Sequence, residues 1–464
     1  MNNLKKKILL IVYDNGSYIH NFPLGTAYIA EYLKQHKHQV TIYNQDVFHW
    51  EESHLTNYLD NNKFDYVGLG FIAGYYQYKK IQLISKAINA SKNRLNFKFI
   101  LGGHGPSPEP NFFLKKLQAD YIVVGEGEVP FLFLVEGRNP SDIDSLVGLD
   151  FNNNDKRDNV IKNIDDLRPN WDLFPIENYV LVREFGFKKT ARVMSMVSGR
   201  GCNFRCNFCY RLDKGLRIRS NESIIDEIKY LKKTYNIDTI SFLDELLMSS
   251  EKRVILLCEE FLKNNLNIQW ECSGRLNYAK KEVLKLMKRA GCVFINYGIE
   301  SLDDNVLKNM NKCLTVDQII KGVEATKELD INQGLNIIFG NIGETKEILM
   351  KGVEFIKKYG DGCQLRTIRP VTPYPGSPLY YKAINEGLLK DVEDFYENKH
   401  LNSDLMSVNF TNLSDNDFYE ALKEANIELI KFYYSKNNDE QSVIDQCKNL
   451  YDNKDVSFRG FRQM

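Results

Sequence analysis

The sequence has no excess of either charge and no long hydrophobic stretch. Its 464 residues include 61 Lys and Arg against 61 Asp and Glu, so the formal net charge is zero. A balanced charge offers no global field that would attract nucleic acid or an anionic membrane. No run reaches the roughly 18 apolar residues that indicate a membrane-spanning helix. We therefore expect neither a nucleic-acid partner nor a membrane span.

A secretory signal and a disulfide framework are also missing. The basic Lys5–Lys7 followed by the apolar Ile8–Val12 mimics a signal peptide, but the apolar run is short and Asp14 breaks it. A buried strand is the better interpretation. The nine cysteines form one close triplet and are otherwise scattered, unlike the cysteines of a small secreted domain. These features predict a reduced, cytoplasmic protein.

The chain is long enough for two or three domains, on a prior of roughly 150 residues each. Apolar runs alternate with helical patterns along most of it. We expect one domain over 1–140, a linker over 141–185, a second domain over 186–385 and a helical segment over 386–464. In the last of these, apolar residues recur from Phe418 to Phe432 at the spacing of an amphipathic helix.

The first segment predicts a parallel sheet covered on both faces. Near-continuous apolar strands separated by helices are typical of a Rossmann-like, doubly wound α/β fold. The expected strands are Lys7–Tyr13, Gln39–Asn44, Tyr66–Phe71, Phe97–Leu101 and Tyr121–Val124. The expected helices are Leu24–Gln35, Tyr76–Lys92, Phe112–Leu117 and one that begins near Val129.

Glycines follow several of these strands, at the edge where doubly wound sheets bind ligands. They include Gly70, Gly102, Gly103 and Gly125, and Glu126 comes directly after the last of them. Glycine permits positive φ and lets a backbone approach a ligand closely, although ordinary tight turns use it as well. The positions therefore favour a ligand site but do not identify the ligand.

The second domain repeats the βα alternation six times, which predicts a partial (β/α)6 TIM-like barrel with its chemistry at the carboxyl ends of the strands. The expected strands are Arg192–Val197, Thr239–Leu243, Ile268–Cys272, Val293–Ile299, Gly334–Phe339 and Gln364–Arg369. The expected helices are Ser223–Tyr235, Glu251–Asn264, Lys281–Arg289, Val316–Leu329 and Lys346–Lys358.

Three cysteines follow the first of these strands closely. Cys202, Cys206 and Cys209 have the spacing Cys-x₃-Cys-x₂-Cys. Thiolates are the usual ligands of iron–sulfur clusters, and three of them leave one iron of a four-iron cluster open to another ligand. A structural zinc site would need four protein ligands, and no further Cys or His occurs in the next twenty residues. Zinc and a chance grouping are the alternatives.

This spacing, with the aromatic Phe208 before the last cysteine, resembles the motif of the radical S-adenosylmethionine (SAM) superfamily. The resemblance implies that the three thiolates hold a [4Fe–4S] cluster and that SAM binds the fourth iron. It also implies an electron donor such as flavodoxin or ferredoxin, whose electron cleaves SAM to a 5′-deoxyadenosyl radical. No catalytic residue beyond the cluster ligands is indicated.

Two strand ends that follow resemble other segments of the same family. Phe242 to Glu245 is similar to the family's Phe-x-Asp-Asp/Glu segment, which implies that Glu245 binds the SAM amino group. Arg275 follows the third strand, where the family often places an arginine near the SAM carboxylate, and a guanidinium suits that partner. The alternatives are helix capping for Asp244 and Glu245 and a surface salt bridge for Arg275.

The ends of the fourth and fifth strands extend the resemblance. Gly298-Ile299-Glu300-Ser301 matches the family's Gly-x-Glu-Ser, which implies that Glu300 and Ser301 contact SAM. The turn from Gly340 resembles the family's glycine-containing turn, with Ile342 where relatives usually have proline. The resemblance implies that Gly340 also lies at the SAM site.

The first domain resembles the cobalamin-binding domain that precedes the barrel in class B radical SAM enzymes. The resemblance rests on Pro23–Tyr28, Leu101–His104 and Val124–Glu128. It implies that the residues at the sheet edge contact cobalamin, namely Gly70, Gly102, Gly103, Gly125 and Glu126. The Asp-x-His-x-x-Gly motif, which supplies a cobalt ligand in other cobalamin proteins, is missing because Asp14 and His20 have the wrong spacing. This departure is compatible with two alternatives. The domain binds cobalamin without a histidine ligand, or it is a vestigial scaffold.

Together the two domains imply a cobalamin-dependent radical SAM enzyme. Methyl transfer to an unactivated carbon of a small-molecule or natural-product intermediate is the leading expectation, because this combination most often serves it. Non-methylating radical chemistry, such as cyclisation, oxidation or rearrangement, is the alternative. A non-catalytic binding or regulatory protein is a further hypothesis, against which the intact cysteine triplet argues.

Overall fold

The structure, a computed structural model, describes residues 5–16, 20–154, 159–181, 191–212, 215–362, 364–435 and 440–461. The chain forms two compact units, Met1–Leu181 with Arg217–Ser220, and Val182–Leu216 with Asn221–Met464. Parts of the predicted linker, 155–158 and 182–185, and the first residues of the predicted second domain, 186–190, lie outside the described residues. The four-part division made from the sequence stays a prediction.

The first unit contains a mostly parallel sheet. Its strands are β1 (Lys7–Val12), β2 (Gln39–Asn44), β3 (Tyr66–Gly70), β4 (Lys98–Gly102), β5 (Tyr121–Val123) and β6 (Leu146–Val147). They are ordered β2-β1-β3-β4-β5-β6. Strands β1 to β5 run parallel and β6 runs antiparallel to β5. An order of 2-1-3-4-5 is that of a doubly wound sheet, so the predicted class is confirmed.

The helices of this unit are α1 (Leu24–Gln35), α2 (Gln45–Phe48), α3 (Glu52–Asn61), α4 (Tyr75–Asn89), α5 (Pro110–Lys116), α6 (Glu128–Val135) and α7 (Ile176–Tyr179). The sequence pattern missed α2, α3 and α7. Helix α3 buries only Leu55 and Leu59, which is too few for a clear helical period. Helix α6 buries Phe131 and Leu132 against β1 and therefore gave a stronger signal.

The second unit contains a six-stranded parallel sheet that forms a partial barrel. In chain order the six strands of this sheet are β7 (Val193–Met196), β10 (Thr239–Phe242), β11 (Gln269–Gly274), β12 (Cys292–Glu300), β13 (Asn332–Phe339) and β14 (Arg369–Pro370), and two short strands, β8 (Gly199–Cys202) and β9 (Gly215–Ile218), occur between β7 and β10 in the chain. The sheet order is β14-β13-β12-β11-β10-β7, and each pair is parallel. Strands β8 and β9 lie outside this sheet and were not predicted. The predicted barrel class is confirmed.

Helices follow the strands and also form the C-terminal part of the chain. They are α8 (Asn221–Tyr235), α9 (Glu251–Lys263), α10 (Lys281–Arg289), α11 (Asp304–Asn309), α12 (Val316–Glu328), α13 (Lys346–Tyr359), α14 (Pro378–Asn385), α15 (Val392–Asp394), α16 (Asp415–Tyr434) and α17 (Glu440–Asp452). The predicted helical C-terminal segment is confirmed, with α17 in addition to the predicted amphipathic helix. None of the described helices is long and apolar enough to cross a membrane.

The sixth barrel strand differs from its prediction. A strand over Gln364–Arg369 was expected, but only Arg369–Pro370 pairs with β13. The reason lies in α16, where Asn426 Oδ1 accepts a hydrogen bond from Ile368 N at 2.7 Å and Asn426 Nδ2 donates to Ile368 O at 2.9 Å. One amide side chain thus replaces the backbone partner that a strand would use at this position.

The two faces of β12 and β13 have different environments. On the outer face, Tyr297 Oη lies 2.9 Å from Thr326 Oγ1 of α12, and Ile337 packs against α13 at Gly352. Because side chains alternate along a strand, Asn296 and Asn336 face the opposite way, into the lumen of the partial barrel. Asn296 is exposed, so the lumen is open at this level rather than filled.

Candidate functional site

The cysteine loop begins at the end of β8 and is held by two neighbouring segments, one at Met310 and Asn311 and one at Leu379. Cys202 is partly buried, Cys206 is buried and Cys209 is exposed. Asn207 connects the loop to two segments, because its N–H donates to Met310 O at 2.9 Å and its carbonyl accepts from Leu379 N at 2.8 Å. Asn311 Nδ2 donates to Arg205 O at 2.8 Å. Backbone groups of the loop are therefore held by hydrogen bonds from neighbouring protein segments.

The thiols of this loop are electrostatically distinct. A hydrogen bond from the Cys209 thiol lowers the pKa of Cys206 to about 6, although burial opposes the change, and the positive charges of Lys312 and Arg275 add to the lowering. The same hydrogen bond raises the pKa of Cys209, and burial raises that of Cys202. One thiolate is thus favoured at neutral pH, while a bound metal would have to displace the other protons.

The donor set fits an iron–sulfur cluster better than a single metal ion. Among the described residues, no three His, Cys, Asp or Glu side chains surround one metal-ion position. A structural zinc ion requires such a convergence. The cysteines of a [4Fe–4S] cubane bind different irons and can lie further apart. Three thiols on one loop, with no disulfide among them, therefore suit a [4Fe–4S] cluster.

Arg275 packs over the cysteine loop from the end of β11. Its guanidinium carbon lies 3.5 Å from the centre of the Phe204 ring, and its Nη2 donates to the carbonyls of Lys312 and Cys313. The residue is buried, so the alternative of a surface salt bridge is wrong. Within the described chain its Nε is buried and has no hydrogen-bond partner, which leaves a donor for a ligand.

Glu300 ends β12 in a strained conformation beside a lysine that the sequence did not indicate. Its φ of 72° lies in the left-handed region, which is uncommon for a residue other than glycine. Its Oε1 lies 2.8 Å from Lys312 Nζ, and both side chains are buried. Lys312 Nζ is also 5.9 Å from the centre of the Phe208 ring. No spacing or motif distinguishes Lys312, because only the fold brings it to β12.

Ser301 and the turn from Gly340 complete this edge of the barrel. Ser301 Oγ is buried and lies close enough to the Glu344 carboxylate to lower the pKa of that group. Gly340 has φ of 99°, and a Cβ there would lie 2.7 Å from the Phe418 ring. Glu344 Oε2 accepts hydrogen bonds from Gly340 N at 2.6 Å and Asn341 N at 3.2 Å. The unpartnered Arg275 Nε, among the described residues, fits a bound polar molecule at this edge.

The two acids that follow β10 have different surroundings. Glu245 is exposed, and its charge helps to raise the pKa of Cys202, which places it near the cysteine loop. Asp244 is buried and accepts hydrogen bonds from Ser198 N at 2.9 Å and from Arg253 Nη2 at 3.2 Å. Ser250 caps α9, so the alternative that these acids cap that helix is wrong.

In the first unit, the loops after β4 and β5 are tied together by a serine. Ser107 Oγ donates to Gly103 O at 2.6 Å and accepts from Gly125 N at 3.1 Å. Gly103 has φ of 94°, and a Cβ there would lie 2.6 Å from Phe71 O. Gly125 has φ of 87°, and no atom lies within 4 Å of the position that a Cβ would take there. The sequence pattern missed Ser107, although the Gly-rich segment before it was noted.

The other predicted cobalamin-contacting residues of the first unit differ in whether protein groups already occupy the space beside them. Gly70 and Gly102 have room for a Cβ, with no neighbour nearer than 3.6 Å, so the protein backbone alone does not require glycine there. Glu126 is buried, and both of its carboxylate oxygens accept hydrogen bonds from Arg217. Arg217 also donates to Ile161 O at 2.7 Å. Both carboxylate oxygens of Glu126 are therefore engaged by Arg217, so this carboxylate positions the guanidinium.

Comparisons with known proteins agree with this geometry. Residues 196–356 match the model of the radical SAM superfamily, and residues 16–135 match that of the B12 binding domain. An uncharacterized methyltransferase of Pyrococcus horikoshii is 30% identical over 402 residues, which are 82% of this chain and 84% of the relative. The chain belongs to the cobalamin-dependent, class B radical SAM enzymes.

Two more distant proteins share the arrangement. The anaerobic magnesium-protoporphyrin IX monomethyl ester cyclase of Rubrivivax gelatinosus is 25% identical over 80% of this chain and 68% of its own length. The radical SAM methyltransferase TsrM of Kitasatospora setae has the same fold, with a TM-score of 0.65, 17% identity and coverage of 82% of this chain and 78% of its own. The cofactors of this class B enzyme are a [4Fe–4S] cluster, SAM and cobalamin.

The structure shows the surroundings of His20, the histidine whose spacing departs from the Asp-x-His-x-x-Gly motif. Ser17, Tyr18 and Ile19 lie outside the described residues, but His20 is described. His20 Nδ1 lies 3.1 Å from Asp46 Oδ2, and Asn15 N donates to Asp46 Oδ1 at 2.9 Å. The histidine therefore pairs with a carboxylate that follows β2 instead of the neighbouring Asp14.

Glu344 makes the stability of this class B enzyme depend on pH. Burial raises the pKa of Glu344 to about 8, against the opposing effect of its backbone hydrogen bonds. Since the folded state binds the extra proton between about pH 5 and 8, raising the pH through that range lowers the free energy of unfolding, by up to about 1.4 kcal/mol per pH unit. We expect Glu344→Gln to flatten this slope. Urea unfolding at several pH values measures it, and an unchanged slope would contradict the assignment.

Proposed function

We propose that this class B radical SAM enzyme transfers a methyl group to an unactivated carbon of a small molecule. The observation that carries the proposal is the near full-length similarity to a methyltransferase of Pyrococcus horikoshii, together with a cysteine loop whose donors fit a cluster. When bound, the cluster and SAM supply a carbon-centred radical, and cobalamin supplies a methyl group that can be transferred. The protein must orient the reactants and exclude water.

We assign the SAM site to the edge of the partial barrel. Cys202, Cys206 and Cys209 would hold the iron, and the other predicted residues would surround SAM, namely Phe208, Glu245, Arg275, Glu300, Ser301 and Gly340. The Arg275 Nε, which has no hydrogen-bond partner among the described residues, supports this assignment because a buried donor without a partner is costly. Lys312 would neutralise Glu300 and keep the edge from repelling the SAM carboxylate.

We assign cobalamin to the glycine-edged loops of the first unit. Gly70, Gly102, Gly103 and Gly125 would allow the ligand to approach the backbone closely. The open space at Gly125 supports this role. Glu126 would act by holding Arg217, since the guanidinium takes both of its carboxylate oxygens.

Two further parts of the proposal concern the cellular setting. A flavodoxin or ferredoxin would supply the electron, because Cys209 is at the surface of the second unit and a cluster there would be within reach of a partner. The cytoplasm is the proposed location, since eight described cysteines are free thiols and such thiols persist in a reducing compartment.

Non-methylating chemistry is the second candidate. It is favoured by the similarity to the Rubrivivax gelatinosus cyclase, which spans 80% of this chain. The mass of the product separates the two candidates. Methyl transfer from SAM carrying a deuterated methyl group adds the label to the acceptor, whereas cyclisation or oxidation adds none.

The proposal is tested by anaerobic reconstitution of the full chain with iron, sulfide and cobalamin. We expect corrin absorbance to stay with the protein through gel filtration and the deuterated methyl group to appear in a small-molecule acceptor. Gly103→Ala is expected to lose most of the corrin, because its Cβ would meet Phe71 O and its φ is positive. The matched control is Gly137→Ala, which has a similar positive φ but open space. Corrin retained equally by both variants would contradict the assigned site.

A further inference from the structure

Two histidines of the first unit lie side by side in the segments that follow β1 and β2. His20 comes after β1, and His49 comes after β2, directly behind α2. Their ring centres are 5.6 Å apart, and the ring planes are tilted by 41°. Zinc–nitrogen bonds of about 2.0–2.1 Å would place the centres of two imidazoles on one tetrahedral ion roughly 5 Å apart. The separation of this pair is therefore on the scale of a shared metal ion.

Each ring is held at its Nδ1 by a carboxylate from the other segment. His20 Nδ1 lies 3.1 Å from Asp46 Oδ2, and His49 Nδ1 lies 3.0 Å from Asp14 Oδ2. An ionised carboxylate can only accept, so each Nδ1 carries the hydrogen and the Nε2 of a neutral ring keeps its lone pair. A carboxylate at the second ring nitrogen is the usual way in which proteins orient a histidine that binds a metal.

Backbone groups hold the two carboxylates in turn. Asp46 Oδ1 accepts a hydrogen bond from Asn15 N at 2.9 Å, and Asp14 Oδ1 accepts one from Gly16 N at 2.6 Å. The Asp46 side chain is only 1% exposed. His49 has φ of 50°, a left-handed conformation that is uncommon outside glycine and that often occurs at functional sites. The pair and its carboxylates are thus built into the two segments.

The second nitrogen of each ring is available to a ligand. Within the described parts of the chain, Nε2 forms no hydrogen bond in His20 or in His49. The side chain of His20 is 14% exposed and that of His49 is 48% exposed. The His20 ring also has an edge contact with Tyr179, with the ring centres 6.2 Å apart. The pair is therefore held by protein groups on one side and reached by solvent on the other.

The local charge favours a cation. With both rings neutral, the carboxylates of Asp14 and Asp46 leave two negative charges beside the pair. No lysine or arginine among the described residues pairs with either carboxylate. Gln45 accepts a hydrogen bond from Asp14 N and donates to Glu52, whose charge is matched by Lys80. Buried charges are normally paired or bind metals, and a divalent ion would balance the two negative charges.

We propose that His20 and His49 bind one divalent transition-metal ion, such as Zn²⁺, through their Nε2 atoms. Imidazole is a preferred ligand of such ions, whereas Mg²⁺ prefers oxygen. No three His, Cys, Asp or Glu donors of the described chain converge on one ion, so the other positions of the ion are open to water or a small ligand. The loops to which cobalamin is assigned follow β3, β4 and β5. This ion is thus additional to the cluster, SAM and cobalamin.

Protection of the histidines from diethyl pyrocarbonate tests the site without any turnover. The full chain, reconstituted anaerobically with its cluster and cobalamin, is treated with the reagent in Zn²⁺ or in Mg²⁺, and modified peptides are quantified by mass spectrometry. Zn²⁺ at ten times its dissociation constant should slow modification of His20 and His49 about tenfold, with one zinc midpoint for both. The internal control is His36, which is exposed and whose Nδ1 lies 2.8 Å from Tyr32 O. Its modification should not be slowed.

Asparagine variants separate metal binding from the pairing of the two segments. The amide of asparagine can replace Nδ1–H and keep the hydrogen bond to the carboxylate, but it has no counterpart of Nε2. His49→Asn should therefore abolish zinc protection of His20, and His20→Asn that of His49, because one ion uses both rings. Asparagine also tolerates the left-handed backbone of residue 49. The matched control His36→Asn should leave the protection unchanged.

The outcomes decide the site independently of the proposed function. Equal protection by Zn²⁺ and Mg²⁺, separate zinc midpoints for the two histidines, or protection of His20 that persists in His49→Asn would each overturn the shared ion. Histidines that do not react in the absence of Zn²⁺ would overturn it as well. If an asparagine variant fails to fold, the midpoints and the Mg²⁺ comparison in the wild-type chain still decide. None of these measurements depends on methyl transfer.

Discussion

Replacing Cys202, Cys206 and Cys209 together with alanine is expected to abolish SAM cleavage. The wild-type chain should hold roughly four irons after anaerobic reconstitution, and the variant should hold none above background. The physical reason is that these thiols are the only close cysteine triplet of the sequence, and thiolates are what the cluster requires. Iron content and release of 5′-deoxyadenosine measure the two effects.

A matched control distinguishes loss of ligands from general damage. Cys313 is a free, exposed thiol of the same unit, whose carbonyl, not its side chain, contacts Arg275. Cys313→Ala should keep the iron and the cleavage activity. SAM cleavage that persists in the triple variant would refute the assignment of the cluster to this loop.

Asp244→Asn is expected to lower the free energy of unfolding by about 3–5 kcal/mol, the cost of removing one partner from a buried ion pair. Asp244 and Arg253 are both buried, so the loss of the carboxylate charge leaves the guanidinium uncompensated. Asp244 also accepts the backbone N–H of Ser198, just before the strand that leads into the cysteine loop. Urea unfolding followed by circular dichroism measures the change.

The double variant separates charge from packing. Arg253→Met in the Asp244→Asn background should recover part of the lost stability, because no charge is then left buried. The exposed pair Lys281–Glu328 provides the comparison, and Lys281→Gln should leave unfolding unchanged. If Asp244→Asn changes the free energy of unfolding as little as that surface variant does, the buried pair does not contribute the expected stability.

The sequence predicted the secondary structure well where burial is periodic. Helices α1 and α10 and strand β2 have the predicted bounds, and each of the two helices buries a regular face. Short elements such as α2 and β8 were not predicted, because four residues are too few to show a helical or strand periodicity. The class of both domains followed from the alternation of strands and helices, which depends on many residues and tolerates errors at element ends.

The partners of individual side chains could not be predicted in the same way. Asp244 and Glu245 are adjacent, yet one is buried with Arg253 and the other is exposed near Cys202. Arg217 pairs with Glu126 across 91 positions. Such pairs are set by tertiary packing, and local patterns do not contain that information. Local patterns therefore named the motif residues as candidates, and the residues that contact them, such as Arg217 and Lys312, were missed.

The role of Asn426 has a consequence for synthesis on the ribosome. Nascent chains fold from the N-terminus as residues emerge, but in the described part of the chain the Ile368 backbone is bonded by Asn426 of α16. The segment Gln364–Ile368 at the barrel edge therefore lacks the hydrogen bonds from Asn426 until α16 has been translated, which is near the end of the chain. A premature stop between these two points would release a sheet with an open edge, the kind of surface that chaperones bind and that pairs with other chains.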